Sequence, residues 1–380
     1  MGSVTEWRLG LTEYKPEKCF NGYTIFCPFH SPFIYMVNMR GEVVHVWPVD
    51  VRVSEEGVRL GLTTHFRYLG NGHILINVSG FGVKELDWYG RAVWEFKAPT
   101  HHHDFYRLPN GNTLILIKKT VNRPEISNKP LHDDCFIEVT PKGEIVWEWC
   151  ASDHFEELEL SAEAREYIRK YGGDYLHCNS CEVLPNGDIL TSFRHVNIVA
   201  IIDKSTGSIK WKWGGERWQA IGPHNPTMLP NGNILIYDNG GVGGYPPLIR
   251  FFTRIIEVNP KTGEIVWEYV HKPFKYMNLG FLSLEWGGAQ RLPNDNILTL
   301  DANAGRLFEI TREGEIVWEY INPFVGVFQW LDKWRLEQGV YRCYRVAPEE
   351  VPEFPSKFAG GERHVFAFDE YLYKPYRPHK

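Results

Sequence analysis

Two short phrases recur along the 380-residue chain, and they constrain its fold more than any other feature of the sequence. The first is a tight turn followed by an apolar run, with five copies: LGNGHILINV, LPNGNTLILI, LPNGDILTSF, LPNGNILIYD and LPNDNILTLD. The second is a glycine turn followed by alternating residues that include tryptophan, with six copies: GEVVHVW, GRAVWEF, GEIVWEW, GSIKWKW and GEIVWEY twice. Asn-Gly turns between apolar runs indicate β-hairpins, and a repeat of about fifty residues is typical of propeller blades. The sequence therefore predicts an all-β fold, a six-bladed β-propeller with four-stranded blades.

The two ends of the chain and one insertion fit this interpretation. We expect residues 1–380 to form a single domain, with blades over roughly residues 20–325. The first blade has too few strands before its glycine turn, so residues 326–380 are expected to close the ring and cap one face, using VYRCYRV or HVFAF. The segment FEELELSAEAREYIRKYGG has helical spacing, a Ser161 cap and a glycine stop, which predicts a short helix near residues 156–171.

Composition excludes several classes of protein. A net charge of −6 shows no basic excess, so a nucleic-acid partner is not expected. No stretch approaches the roughly twenty apolar residues of a membrane helix, and the first residues lack the apolar segment of a secretion signal. Seven cysteines, an odd number, do not resemble a disulfide framework and fit a reducing compartment. We therefore expect a cytoplasmic protein as the chain stands, exported only if a signal peptide preceded residue 1.

Histidines precede four successive hairpins, four to seven residues before the leucine of each turn: His65, His103, His177 and His224. The innermost strand of each propeller blade lines the central channel, so these imidazoles are expected to face one pocket. The fifth lead-in, LEWGGAQRLPND, has no histidine, so the pattern is more than repeat periodicity. Arg194 follows His177 across a hairpin and is expected on the neighbouring strand, where it brings a permanent positive charge.

Such a pocket suits three kinds of site. In an anion-handling transferase, a neutral imidazole attacks a sulfuryl or phosphoryl centre while other imidazoles and a guanidinium stabilise oxygen charge. In a metal site, imidazoles from separate blades bind an ion, and Cys178 and Cys181 of HCNSC could add soft ligands. In a purely structural channel, the histidines hydrogen-bond turns and water, and the two cysteines are small buried residues.

Three phrases in order resemble the arylsulfotransferase family, enzymes that transfer sulfate between phenols without the nucleotide sulfate donor. They are HHHDFYRLPNGNTLIL, HCNSCEVLPNGDILTSFRH and GPHNPTMLPNGNILIYDNG, and they follow the opening NGYTIFCPFHSPFIYMVNMRGEVVHVW. The likeness covers roughly residues 20–320. It implies a six-bladed propeller, an aryl sulfate and a phenol as small-molecule partners, no cofactor, and a ping-pong reaction through a sulfated histidine.

The resemblance also implies roles for individual residues. His224, ahead of YDNG, matches the nucleophile, whereas His177 in HCNS and Arg194 in SFRH match the sulfate-binding pair. The histidine of the first motif falls on His103, with His102 as its rival. The catalytic set is therefore expected to be His224, His103, His177 and Arg194, and the substrate-binding set His102, His65, Asn179 and Asn239.

Other activities of the same pocket stay open from the sequence. The histidines could hold a metal, or one of them could abstract a proton in an elimination, as in propeller-shaped lyases. A non-catalytic propeller scaffold is a further alternative.

Overall fold

The computed structural model describes residues 9–49, 52–53, 59–60, 65–215, 219–245, 247–271, 280–330 and 333–352. Over these residues the chain forms six main antiparallel sheets, five with four strands and one with five, together with three two-stranded ribbons. The six sheets are the blades of a β-propeller, which confirms the fold predicted from the repeats.

In chain order, the described strands are β1 Gly10–Tyr14, β2 Tyr23–Pro28, β3 Phe33–Val37, β4 Val43–Pro48, β5 Arg52–Val53, β6 Arg59–Leu60, β7 Phe66–Gly70, β8 His73–Val78, β9 Gly82–Leu86, β10 Ala92–Lys97, β11 His101–Arg107, β12 Thr113–Val121, β13 Leu131–Val139, β14 Ile145–Cys150, β15 Cys178–Val183, β16 Ile189–Phe193, β17 Ile198–Ile202, β18 Ile209–Gly214, β19 Pro223–Met228, β20 Ile234–Asp238, β21 Gly241–Gly243, β22 Leu248–Arg250, β23 Arg254–Val258, β24 Ile265–Val270, β25 Ala289–Arg291, β26 Ile297–Asp301, β27 Arg306–Ile310, β28 Ile316–Ile321, β29 Gly326–Trp330, β30 Lys333–Glu337 and β31 Val340–Val346.

Blade 1 closes the ring. Its strand order is β31-β2-β3-β4, so VYRCYRV supplies the strand next to β2, with Thr24 opposite Arg345. The other candidate for closure, HVFAF, lies outside the described residues. Blades 2, 3 and 4 are β7–β10, β11–β14 and β15–β18, blade 5 is β19, β20, β23 and β24, and blade 6 is β25–β28. Strand β1 pairs with β28 at the outer edge of blade 6, which covers that sheet edge.

The repeated tryptophans join each blade to the next. In every blade an outer-strand indole N–H donates to a turn carbonyl of the following blade: Trp47 to Gly72 (3.1 Å), Trp94 to Pro141 (3.1 Å), Trp149 to Gly207 (2.7 Å), Trp213 to Gly263 (2.9 Å), Trp267 to Arg312 (2.9 Å) and Trp318 to Met39 (3.0 Å). The last bond returns from blade 6 to blade 1. The second repeat phrase is therefore an inter-blade connection, as its position at the end of each unit indicates.

The helical insertion lies between blades 3 and 4. A 3₁₀ segment over Ala151–Leu158 precedes helix α1, Ala162–Tyr171. The Ser161 side chain accepts a hydrogen bond from the Ala164 N–H, and Gly172 ends the helix, as the sequence predicts. Shorter 3₁₀ turns span Arg194–Val196 and Pro348–Glu350. In the part of the chain that the structure describes, no helix has the length and apolar character needed to cross a bilayer.

One disulfide departs from the expectation of reduced cysteines. Cys135 and Cys150 face each other across β13 and β14 and are bonded. The two cysteines are fifteen positions apart, and they pair because the register of the two strands sets them opposite each other. The number of cysteines in a sequence contains no information on strand register, so the sequence did not predict this disulfide. The remaining described cysteines, including Cys178 and Cys181, are buried and form no disulfide.

Candidate active site

Backbone irregularities mark the start of the three innermost strands at which the histidine motifs lie. The strand registers shift between His101 and Phe105 in β11, between Cys178 and Cys181 in β15, and between His224 and Thr227 in β19. Within or just before each shift, one residue other than glycine has a positive φ: His103 at 57°, His177 at 57° and Asn225 at 44°. Such bulges redirect side chains and are common beside functional sites, where local strain is tolerated.

Three of the four predicted catalytic side chains, those of His103, His177 and His224, lie at these irregularities and influence one another electrostatically. The rings of His103 and His177 are 4.7 Å apart and nearly perpendicular. The pKa of His103 is lowered well below its ordinary value, mainly by burial. The charges of His177, His102 and His224 lower it further, so His224 is near enough to His103 to act on it electrostatically. The Arg194 backbone N–H donates to the His177 carbonyl at 3.1 Å, so the arginine lies beside His177 in the same blade, but in the 3₁₀ turn directly after β16 and not on the strand itself.

His224 is held in one tautomer. Its Nδ1 lies 2.8 Å from Asn239 Oδ1 and 3.0 Å from the Gly222 carbonyl, and both partners only accept hydrogen bonds. Asn239 cannot turn its NH₂ group toward the imidazole, because that group already donates to the carbonyls of Ser283 and Trp286. The Nδ1 atom therefore carries the proton, and the Nε2 lone pair is free. Burial, with the nearby Arg194 charge, lowers the pKa of His224 well below its ordinary value, so the ring is neutral.

Arg194 is a cation with almost no protein partner. One terminal nitrogen donates to the Leu284 carbonyl at 3.4 Å, and Nε is buried without a hydrogen bond. Among the described residues no carboxylate lies within ion-pair distance of it. A partly desolvated guanidinium with free donors is a strong binder of an oxyanion.

His177 and His195 form a second group with Asp174, which lies in the loop after α1. Asp174 Oδ2 is 2.5 Å from His177 Nδ1, and its other oxygen is 2.7 Å from the Lys118 ammonium. The His195 ring stacks on that of His177 at 4.6 Å, and its Nδ1 lies 2.8 Å from the Asp174 carbonyl. The ligand atoms of Asp174, His177 and His195 are close enough to hold a metal ion. The Lys118 ammonium already pairs with the Asp174 carboxylate, and its positive charge would repel a metal ion bound there.

His102 supports His103 from behind. Their Nδ1 atoms are 2.7 Å apart, and His102 Nε2 is 3.1 Å from Asp134 Oδ1. Burial raises the pKa of Asp134 to about 7 and lowers that of His102 well below its ordinary value. His102 therefore lies between His103 and Asp134, and the His103 ring contacts that of His177.

His65 belongs to a buried charge cluster at the centre of the ring. Its Nε2 is 2.9 Å from Asp104 Oδ1, and Asp104 also pairs with Arg67 and Arg342, each at 2.8 Å. Burial lowers the pKa of His65 to about 3 despite this carboxylate. Residues of blades 1, 2 and 3 thus meet at Asp104. The substrate contact expected of His65 stays a prediction, because its imidazole is engaged in this cluster.

Asn179 connects two blades beneath the site. Its NH₂ group donates to the Pro223 carbonyl at 3.0 Å, and its Oδ1 accepts from the Ser192 hydroxyl at 2.6 Å. The side chain is fully buried. These bonds position the residue before His224, so substrate binding by Asn179 itself stays a prediction while its amide is internally satisfied.

The structure adds residues that the repeat argument missed. Asp174 and Lys118 orient His177, and neither lies in a motif, although the spacing of Asp174 three positions before His177 is visible in the sequence. The two cysteines of HCNSC lie apart from the described groups with metal-binding geometry. Burial raises the pKa of both thiols well above the ordinary value, which suits small buried side chains.

Comparison with solved structures finds several similar chains. A crystal structure of a protein of unknown function from Bacteroides caccae is similar with a TM-score of 0.55 and 15% identity, covering 85% of this chain and 98% of that one. A streptogramin B lyase has a TM-score of 0.48 and 13% sequence identity, and the match covers 89% of this chain and 93% of that one. A virginiamycin B lyase from Staphylococcus aureus has a TM-score of 0.45 and 10% sequence identity, and the match covers 88% of this chain and 98% of that one. At 15% identity the first likeness concerns the fold alone, and no conclusion rests on the two with TM-scores below 0.5.

Sequence comparison addresses the family. No curated protein sequence matches the chain significantly. The family model described as arylsulfotransferase (ASST) matches residues 28–247, more than half of the chain, and this range contains the three histidine motifs. The chain therefore belongs to the arylsulfotransferase family.

Proposed function

We propose that this protein transfers a sulfuryl group from an aryl sulfate to a phenolic acceptor in two steps, with His224 Nε2 as the nucleophile. In the first step the Nε2 lone pair forms a bond to sulfur while the bond from sulfur to the aryl oxygen breaks, and the departing oxygen takes up a proton. In the second step a phenol oxygen attacks the sulfur, loses its proton and regenerates the neutral imidazole.

The single observation that carries this proposal is the fixed tautomer of His224. Asn239 Oδ1 and the Gly222 carbonyl hold the proton on Nδ1, so the attacking atom is unprotonated without any prior proton transfer. Once Nε2 is sulfated the ring becomes cationic, and the same two acceptors stabilise its Nδ1–H. Arg194, which lacks a protein counter-ion among the described residues, supplies donors for the sulfuryl oxygens, together with the His103 imidazole.

The test is release of 4-nitrophenolate from 4-nitrophenyl sulfate with and without 1-naphthol, in the parent and in His224→Ala. We expect acceptor-dependent release and formation of naphthyl sulfate by the parent only. Mass spectrometry of the parent mixed with donor alone should find one added sulfuryl group on His224. A folded parent that forms no naphthyl sulfate from this or other aryl sulfates would refute the proposal, and so would an active His224→Ala variant.

A metal-dependent reaction is the second candidate, because Asp174, His177 and His195 bring their ligand atoms together. Metal analysis of the purified protein, followed by activity after chelation, separates the two candidates. Sulfotransfer by a metal-free preparation favours the histidine nucleophile, whereas stoichiometric metal that is needed for turnover favours the second candidate.

A further inference from the structure

A row of aromatic rings leads from the protein surface to the candidate site. From the outside inward, it consists of the rings of Tyr171, Tyr167, Tyr245, His195 and His177. The centroids of successive rings are 4.6, 4.3, 6.2 and 4.6 Å apart. The two outermost side chains are 48% and 41% exposed, whereas the two histidines are partly buried. The three tyrosines, here named the tyrosine row, therefore connect solvent with two imidazoles of the site.

Two insertions between strands supply the tyrosine row. Tyr167 and Tyr171 lie on α1, between β14 and β15, and their spacing of four residues places them on the same side of the helix. Tyr245 lies in the turn that joins β21 to β22, a ribbon between β20 and β23. In blades 3 and 5 the first strand starts at the histidine lead-in, and the second and fourth strands run back toward that end. Both insertions therefore emerge on the face of the ring that carries the lead-ins.

The inner end of the tyrosine row adjoins the cation of the site and further apolar surface. Burial raises the pKa of Tyr245, and the Arg194 guanidinium is near enough to lower it. The Arg194 side chain donates to the carbonyl of Leu284, whose own side chain is 51% exposed. The ribbon also exposes Val242 and Ile249, which lie directly opposite each other on its two strands. Exposed apolar surface of this kind around a pocket is typical of a ligand-binding groove.

On the basis of the proposed sulfotransfer, we propose that the tyrosine row binds the part of an extended phenol beyond its reacting ring, so that the protein prefers acceptors with two or more aromatic rings. Two other rings separate Tyr167 from His177, so the single ring of phenol, held at His177, does not extend to Tyr167. A second ring para to the hydroxyl lies at the far end of the molecule from the reacting oxygen. Offset or edge-to-face contacts with tyrosine rings stabilise such a ring beyond its apolar burial.

The test compares phenol with 4-phenylphenol, two acceptors of similar acidity that differ by one ring, with 4-nitrophenyl sulfate as the donor for both. In a ping-pong reaction, kcat/KM for the acceptor reports the second step alone. We expect the parent to have the higher kcat/KM with 4-phenylphenol. In Tyr167→Ala, the ratio of kcat/KM for 4-phenylphenol to that for phenol should fall about tenfold. Tyr167→Phe keeps the ring and should restore most of the ratio.

Tyr89→Ala is the matched control. Tyr89 is 66% exposed and lies in the turn between β9 and β10, on the face of the ring opposite the lead-ins. The substitution removes an exposed tyrosine ring away from the site, so the ratio of the two acceptors should stay at the parental value. Because both acceptors are measured on one preparation, the ratio does not depend on the fraction of protein that is folded. If Tyr167→Ala gives no soluble protein, Tyr171→Ala, at the more exposed end of the row, replaces it.

The outcomes separate the two proposals. A parent that prefers phenol, a parental ratio in Tyr167→Ala, or an equal fall in Tyr89→Ala would overturn the role of the tyrosine row while leaving sulfotransfer intact. A parent that transfers sulfate to neither phenol would overturn sulfotransfer itself. Saturation-transfer NMR with 4-phenylphenol then tests the row without turnover. The protons of its outer ring should be saturated more strongly by the parent than by Tyr167→Ala, and equal signals would overturn the role of the row.

Discussion

Mild acid should destabilise this protein strongly, because its interior holds histidines in the neutral form. Burial lowers the pKa of five of them to about 3 or 4: His30, His45, His65, His101 and His195. In the unfolded chain the same side chains titrate near their ordinary value of about 6.5. At about pH 5 the unfolded state therefore binds more protons than the folded state, so the free energy of unfolding falls as the pH drops below about 6.5.

The magnitude follows from the size of the shifts. Between about pH 7.5 and pH 5 one such histidine contributes about 2 kcal/mol, and five contribute about 10 kcal/mol. Two carboxyl groups act in the opposite direction, because burial raises the pKa of Asp134 and Glu182 to about 7. Each of these favours the folded state by about 2.5 kcal/mol over the same interval. Among these seven groups the histidines prevail by about 5 kcal/mol, comparable with the whole stability of an ordinary domain. Burial also lowers the pKa of His102, His103 and His224 well below the ordinary value, which acts in the same direction.

Urea unfolding followed by tryptophan fluorescence at several pH values measures this loss. The control is His45→Phe, because the His45 ring stacks on Trp88 at 3.6 Å and its buried Nε2 has no hydrogen bond. Phenylalanine keeps the stacking and removes the titration, so the variant should lose about 2 kcal/mol less than the parent between about pH 7.5 and pH 5. An unfolding free energy that does not change over this interval would refute the reasoning, as would a His45→Phe variant with the parental pH dependence.

Three further predictions concern single side chains. Arg194→Ala should lower kcat/KM for an aryl sulfate on the order of 100-fold. The melting temperature should stay within about 2 °C of the parent, because the Arg194 side chain makes one weak hydrogen bond in the protein. A loss of activity that is accompanied by a large fall in melting temperature would contradict this prediction. Asn239→Ala should slow the donor step about 10- to 100-fold, since the Gly222 carbonyl alone then holds the His224 tautomer, and quenched-flow kinetics with donor alone would measure it. Trp318→Phe should cost about 1–3 kcal/mol of unfolding free energy, because it leaves the buried Met39 carbonyl without its hydrogen bond. Calorimetry should find a smaller loss for Trp94→Phe, whose inter-blade bond is more exposed. A loss for Trp318→Phe no greater than that for Trp94→Phe would contradict the prediction.

The fold could be predicted because its signals are local and repeated. Each hairpin turn and each outer-strand tryptophan is contained in fewer than ten consecutive residues, and six repetitions remove the ambiguity of any one copy. The disulfide between Cys135 and Cys150 could not be predicted in this way, because it depends on which residues of two strands face each other. Cysteine number and parity contain no such information.

The candidate site was predictable in part for a related reason. His224, His177 and His103 occur at comparable places in successive repeats, so their convergence follows from the symmetry of the ring. Asp174 lies in an insertion that has no counterpart in the other blades, and Lys118 reaches it from blade 3, so neither position is marked by the repeat. What each imidazole can do depends on these partners, and they become visible only when the blades are assembled.

The parts of the repeat that stay the same therefore belong to the scaffold, and the parts that vary belong to the candidate site. The site contains features that oppose folding: positive φ at His103 and His177, neutral buried imidazoles, and the charge of Arg194, which has no carboxylate partner within the described ranges. Strain or buried unpaired polarity of this kind costs on the order of 1–3 kcal/mol at each position. The offset comes in part from the ring of tryptophan bonds, which lie in the outer strands. Because stabilisation and chemistry occupy different strands, GEIVWEY can recur unchanged while the lead-ins differ as HHHD, HCNS, PHNP and WGGAQ. In this propeller, the positions where the repeat is broken are the positions where the chemistry is expected.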